Sequence, residues 1–398
     1  PAWIAMNLAG AMLSGAWHER ALLRRTETYF NVRTKRSQRR LVRAVVRWWR
    51  KPYPPSREEL QAFLLESTWF HSVAEPIHLS GRVMPAVLKP VAFRPSDTFA
   101  SLDLPEITTR RDLADWLGLP IHQLDWFVDR KRLQRHTTVP VLQHYNYAFV
   151  ERRSGPPRLI EAPKPQLKAL QRKILRRILD AVPVHRCAHG FVKARSCVTA
   201  AAKHGGEEVV ITLDLKDFFV TTRLARVHLL FRHLGYSSPI ASDLTGLCAN
   251  ATPHQVFLRL PRGQRPDPVA RAKYLARHLP QGAPTSPALA NLAAFHLDCR
   301  LDGLAKTFGA SYTRYADDMA FSGSDQLAGR VDRLLRGVSR ITADEGFAIN
   351  VRKTRIMRRH TRQRITGIVV NRHVNIARDR YDELKAILHN SVRSGPVS

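Results

Sequence analysis

Three aspartates could share one piece of chemistry. Asp214 closes a continuous apolar run, Val209-Val210-Ile211-Thr212-Leu213, and Asp317 and Asp318 stand side by side about a hundred residues later. A strand of that composition is buried and delivers its terminal carboxylate to one end of a sheet. Residues 312–315 and 319–321 flank Ala316-Asp317-Asp318 and read as a hairpin with two acids at its tip. Adjacent carboxylates on a tight turn repel by roughly a few tenths to a few kcal/mol, according to exposure, unless a cation neutralises them. Hard oxygen ligands suit Mg2+, and two such ions would align an attacking 3′-hydroxyl with the α-phosphate of a nucleotide. Any single Asp-Asp pair is ordinarily a polar turn; here the neighbouring segments argue otherwise.

The elements that must hold these acids begin near residue 140. From there short apolar runs broken by Gly and Pro alternate with helical stretches, the texture of an α+β domain. Ser286-Pro287 reads as the N-cap and first-turn proline of a helix over residues 288–301. Upstream, residues 20–51 hold twelve Lys/Arg against one acid, Glu27, interleaved with Tyr29, Phe30, Trp48 and Trp49, mostly in helical pattern. That excess with aromatics alongside suits phosphate contact better than a merely solvated face. Pro52-Tyr53-Pro54-Pro55 stops the helix, and Ser56 with Glu59 forms a capping box for the next. Prolines at 85, 90, 95 and 105 mark a linker. Thr109 with Asp112 restarts helix, Gly118 ends it, and a short helix covers residues 121–128.

Composition narrows the function classes. In 398 residues, 64 Lys+Arg stand against 33 Asp+Glu, a net charge of +31, and 44% hydrophobic residues suffice for a sizeable core. So basic a globular protein calls for a polyanion. No apolar run reaches the roughly 18 residues of a membrane span, and the apolar residues 1–17 lack the basic start of a signal peptide. Cys187, Cys197, Cys248 and Cys299 form no CxxC and no zinc spacing, which fits a reducing cytoplasm.

Three segments carry a resemblance. Leu213-Asp214-Leu215-Lys216-Asp217-Phe218-Phe219, Leu279-Pro280-Gln281-Gly282-Ala283-Pro284-Thr285-Ser286-Pro287 and Tyr315-Ala316-Asp317-Asp318, in this order and spacing, resemble palm motifs A, B and C of reverse transcriptases. Arg158-Leu159-Ile160-Glu161-Ala162-Pro163-Lys164 and the stretch 167–175 resemble the fingers motif and its helix. His189-Gly190-Phe191 with Arg195-Ser196 resembles the second family block, and Gly346-Phe347 with Asn350, Lys353 and Thr354 resembles motif D. The likeness covers roughly residues 105–380. It implies a right-hand polymerase fold of fingers and palm, an antiparallel palm sheet flanked by helices, and two Mg2+ ions. Asp214, Asp317 and Asp318 would be the catalytic metal ligands, with Leu215 offering its backbone carbonyl. Phe219 would be the gate against a 2′-hydroxyl, and Gln281 and Gly282 would lie under the incoming dNTP. Arg158, with Arg152 or Arg153, would grip the triphosphate, and Lys353 would either protonate pyrophosphate or touch nucleic acid.

The subfamily narrows further. Asn250-Ala251-Thr252-Pro253-His254 matches the NAxxH signature of bacterial retron reverse transcriptases, and Ile365-Thr366-Gly367 stands where those enzymes carry Val-Thr-Gly. In that family both regions are associated with recognition of the cognate structured RNA. The resemblance implies binding of a noncoding RNA and priming from the 2′-hydroxyl of an internal guanosine. The product would be a branched, RNA-linked single-stranded DNA, serving anti-phage defence beside a separate effector. A group II intron-like or unclassified defence enzyme is the alternative; a non-catalytic RNA-binding scaffold would have lost one of the acids or Gln281-Gly282. The expected organisation is a basic, mostly helical extension with its Pro-rich linker over 1–100, whose role is open. Lead-in helices and fingers follow over 101–210, and the palm over 211–370 with the NAxxH insertion at 220–280. Residues 371–398 would start a short or truncated helical thumb. Residues 352–380, with ten Lys/Arg against Asp379 alone, suit a primer-template or RNA stem.

Overall fold

The computed structural model describes residues 2–13, 17–27, 35–50, 54–79, 93–137, 139–152 and 156–395. Tyr29, Phe30, Pro52, Tyr53, Arg153 and the linker prolines at 85 and 90 lie outside the described residues. The chain divides into two compact units: residues 1–101, 106–121 and 232–241 form one, and residues 102–105, 122–231 and 242–398 the other.

The first unit is helical where described. The apolar opening forms a helix, Ala2–Met12, whose Ile4, Leu8 and Met12 pack with Leu22, Leu41 and Leu64 into one core. The described part of the basic run lies in helices Glu19–Thr26 and Lys35–Trp48. The second is strongly amphipathic: Leu41, Val42 and Val45 face inward while Lys35, Arg36, Arg39, Arg40, Arg43 and Arg47 remain exposed. Its aromatics are partly spent on packing, since Trp48 stacks on Phe63 at 4.3 Å and Arg40 lies over the Trp69 ring at 5.1 Å. Both capping boxes form, Ser56 with Glu59 and Thr109 with Asp112, and Gly118 closes its helix at φ 78°.

The second unit mixes helix with antiparallel sheet. Strands β1 (Tyr145–Val150) and β2 (Arg158–Pro163) make a hairpin. The central sheet has the order β4 (Ser311–Tyr315), β5 (Asp318–Gly323), β3 (Val209–Asp214), β6 (Arg355–Arg358), every pair antiparallel. A two-stranded ribbon of β7 (Arg364–Ile365) and β8 (Ile368–Val369) follows. β3 is apolar almost throughout because it is central and covered on both faces: Val209, Val210, Ile211 and Leu213 are all buried. Helix Phe295–Thr307 packs on β4 and on helix Val331–Asp344.

The helix after Ser286 differs from expectation. Ser286 is the first helical residue, not the N-cap; Thr285 precedes it, and the Ser286 hydroxyl donates to the Pro280 carbonyl at 2.7 Å. The helix also breaks at Ala294, giving Ser286–Ala293 and Phe295–Thr307 in place of one run. A serine at such a corner can satisfy either the helix end or the preceding turn, and the buried turn wins here. All four cysteines are free thiols. Among the described residues no helix is long and apolar enough to cross a membrane.

Candidate active site

Antiparallel pairing brings the acids together. In the β3–β5 register Asp214 is the partner of Asp318, so the end of the apolar strand meets the tip of the Asp-Asp hairpin. The Leu215 N–H donates to the Asp317 carbonyl at 2.8 Å, tying the two chain segments just beyond the sheet. Asp214 is buried; its Oδ1 accepts from Asn350 Nδ2 at 3.1 Å and its Oδ2 meets Lys353 Nζ at 2.8 Å. Asp317 and Asp318 are compensated less completely. Burial, then repulsion from Asp214, raises the Asp317 pKa, only partly offset by Lys353 and Arg158. Burial, then Asp317 and Asp214, pushes Asp318 up to about 6.

A second, wholly buried network shapes the hairpin tip. Arg314 Nη2 pairs with Asp298 Oδ2 at 2.6 Å, and its Nη1 donates to Asn291 Oδ1 at 2.8 Å and to the Ala316 carbonyl at 2.9 Å. Asn291 in turn donates to the Gly190 carbonyl at 2.8 Å. Ala316 sits in the left-handed region at φ 57°, a conformation that costs an alanine energy and needs such anchoring. Gly190 lies directly beneath it: a Cβ there would stand 2.5 Å from the Ala316 nitrogen. Neither the Arg314–Asp298 pair nor the role of Gly190 was visible in sequence. Sequence marked His189-Gly190-Phe191 only as part of a motif.

The other expected residues distribute unevenly. Phe219 is half-buried beside Phe218 at 5.7 Å and Phe191 at 6.3 Å, and Phe191 also neighbours Tyr315, so aromatic rings line the approach to the acids. The Gln281 carbonyl accepts from the Glu161 N–H at 2.8 Å, and Gly282, at φ 128°, lies so near β2 that a Cβ would come within 2.9 Å of the Glu161 oxygen. Arg158 is half-buried, its charge is felt at Asp317, and its Nε is buried without a hydrogen-bond partner. Arg152 is exposed. Asp217, close in sequence to Asp214, pairs instead with Lys273 at 2.9 Å.

Asn250 and Ala251 are buried, whereas His254 is exposed at the start of helix His254–Leu258. Ile365 is buried, and Thr366 (φ 48°) and Gly367 (φ 90°) form the tight turn between β7 and β8. A groove of about 800 Å3 runs past Asp214, Asp318 and Lys353 to Arg362, Thr366 and Gly367. The acids and the Ile-Thr-Gly turn thus share one basic-rimmed concavity. The Thr366 hydroxyl is buried there without a hydrogen-bond partner.

Among the described residues no three His, Cys, Asp or Glu side chains converge into a ready metal cage. The donor chemistry nonetheless fits a divalent cation. Asp214, Asp317 and Asp318 supply hard carboxylate oxygens, their mutual repulsion is under-compensated, and the Lys353 ammonium already shows that Asp214 takes a cation.

A family model described as reverse transcriptase (RNA-dependent DNA polymerase) matches residues 150–370. The Retron Mx65 reverse transcriptase of Myxococcus xanthus is 40% identical over 305 residues, covering 75% of this chain and 66% of that protein. The Retron Mx162 reverse transcriptase of the same organism is 37% identical over 310 residues, covering 74% and 61%. The Retron Ec86 reverse transcriptase of Escherichia coli is 35% identical over 234 residues, covering 58% and 65%. The chain thus spans less than two thirds of the length of these relatives.

Proposed function

The chain belongs to the reverse transcriptase family, and from that premise we propose that it is an RNA-directed DNA polymerase of the retron type. The observation that carries the reading is the register that sets Asp214 opposite Asp318 with Asp317 at its side. The family generally uses divalent metal ions. Two Mg2+ ions, held by Asp214, Asp317, Asp318 and the Leu215 carbonyl, would supply neutralising charge to the attacking 3′-hydroxyl and the α-phosphate.

The chain's own residues do the rest. Gln281 and Gly282 form the floor under the dNTP, and Phe219 closes on its sugar, where a 2′-hydroxyl would clash. Arg158, whose charge is felt at Asp317, would grip the triphosphate as a fixed positive charge for a loose phosphoryl transition state. Lys353 holds the Asp214 carboxylate in place. His254 and the Ile365-Thr366-Gly367 turn meet the cognate RNA, aided by the arginines of residues 352–380. Fingers lie over 101–210, palm over 211–370 and the start of a thumb over 371–398. The RNA is a structured noncoding RNA that primes from a guanosine 2′-hydroxyl; the product is branched RNA-linked DNA, made in the cytoplasm for anti-phage defence with a separate effector.

The test is to purify the protein from its host and analyse its nucleic acid before and after debranching, RNase and DNase treatment. RNA joined to DNA through a debranchable link is expected. Linear complementary DNA alone, or no DNA, contradicts the retron type.

A further inference from the structure

Glu161 lies wholly buried on β2, yet its carboxylate is fully partnered. Oε1 accepts from Asn250 Nδ2 at 2.8 Å and from Thr252 Oγ1 at 2.6 Å. Oε2 meets His278 Nε2 at 2.7 Å, and the other ring nitrogen, Nδ1, faces the Ala276 carbonyl at 2.8 Å. A carboxylate and a carbonyl only accept, so both ring nitrogens donate and the ring is an imidazolium. Backbone bonds fix the partners themselves. Asn250 and His278 exchange N–H to carbonyl bonds of 3.0 and 2.9 Å, and the Thr252 N–H donates to the Tyr274 carbonyl at 2.9 Å.

On its other side the same residue touches the proposed nucleotide floor. The Glu161 N–H donates to the Gln281 carbonyl, and Gly282 packs against the Glu161 carbonyl with no room for a Cβ. Glu161 therefore ties three segments together: β2 with Arg158, the segment from Asn250 to Thr252, and the Gln281-Gly282 turn. An apolar residue could fill this space at no greater cost to stability, because burying an ion pair gains little over good packing. What the charged hub adds is a fixed orientation, since every lone pair must find its own donor.

We propose that Asn250, Thr252 and His278 are positioning residues for nucleotide binding, acting through Glu161 to hold Arg158 and the Gln281-Gly282 turn where a dNTP needs them. The inference rests on the polymerase reading above and assigns the buried part of the NAxxH segment to the nucleotide site rather than to RNA contact. Only exposed His254 is left to the RNA.

The experiment measures dNTP KM and kcat on an RNA template-primer, together with RNA Kd, for Asn250→Ala, Thr252→Val, Thr252→Ser and His254→Ala. Asn250→Ala and Thr252→Val each strip one donor from a buried carboxylate and should raise dNTP KM by about 10-fold, with RNA Kd little changed. Thr252→Ser keeps the hydroxyl and should restore the wild-type KM, whereas His254→Ala should weaken RNA Kd. A merely structural loss would lower the active fraction, and so the apparent kcat, without moving KM. Unmoved KM in Thr252→Val, or lost RNA affinity in its place, overturns the inference; the near-isosteric Thr252 pair decides alone if Asn250→Ala does not fold. Wild-type protein that binds RNA but incorporates no dNTP removes the polymerase reading with it, whereas an active wild type beside unmoved variants removes the inference alone.

Discussion

At the scale of single residues, chemistry restricted the choice and made the acids legible. Few side chains can hold a divalent cation, and Asp214, Asp317 and Asp318 stand where a strand end and a hairpin tip must place them. Phe219 belongs to the same scale. Truncating the ring in Phe219→Ala should raise rNTP incorporation relative to dNTP by at least about 10-fold, read from competing incorporation on one template. No change in that ratio would make the ring a packing residue. What sequence left hidden was the set of partners. Asn350 and Lys353 reach Asp214 across 136 and 139 residues, and no local pattern encodes such a meeting. Lys353, an expected pyrophosphate or nucleic-acid contact, is an ion-pair partner of Asp214 in this structure. Asn250 belongs to the NAxxH signature by sequence, and only the fold shows its bond to Glu161.

At the scale of elements, local grammar worked where one rule governed and failed where two competed. Both capping boxes, the Gly118 stop and β3 follow from their own residues. Ser286 could serve a helix or a turn, and the buried Pro280 carbonyl decided it. The break at Ala294 has no proline or glycine to announce it. Gly190 tests how rigidly the hairpin tip is held. Its missing Cβ makes room for Ala316, so Gly190→Ala should displace the Asp317-Asp318 turn and lower kcat about 100-fold while RNA affinity stays. Wild-type kcat in that variant would mean that the turn yields freely.

The Glu161–His278 link between β2 and the segment before Gln281 gives a pH signature. Burial alone would raise the Glu161 pKa, but the His278 charge and the bonds from His278, Thr252 and Asn250 outweigh it and hold it below 4.5. Burial likewise would lower His278, but Glu161 and the Ala276 carbonyl keep it above 6.5. The Glu161 contribution is present above 4.5 and fades as pH falls through its folded value. The His278 contribution is complete below 6.5 and fades as pH rises through its folded value. The Tm difference between wild type and Glu161→Gln plus His278→Gln should therefore be largest between those limits and shrink toward alkaline pH; a flat difference would contradict the charged pair.

At the scale of the whole molecule, the +31 charge is the dominant fact. Exposed arginines on helix Lys35–Trp48 and the basic stretch over 352–380, whose Lys353 meets Asp214, account for much of it. The logarithm of RNA affinity should fall linearly with the logarithm of salt concentration, and Arg36→Glu, Arg39→Glu and Arg43→Glu together should make the slope shallower. An unaltered slope would free that helix from RNA contact.

The central claim, that Asp214, Asp317 and Asp318 form a polymerase site, is tested most directly by labelled dNTP incorporation on an RNA template with Mg2+. Wild type and Asp317→Ala plus Asp318→Ala are compared at equal RNA occupancy. The account predicts DNA from the wild type and none from the variant, which still binds RNA. DNA synthesis persisting in the variant would contradict it.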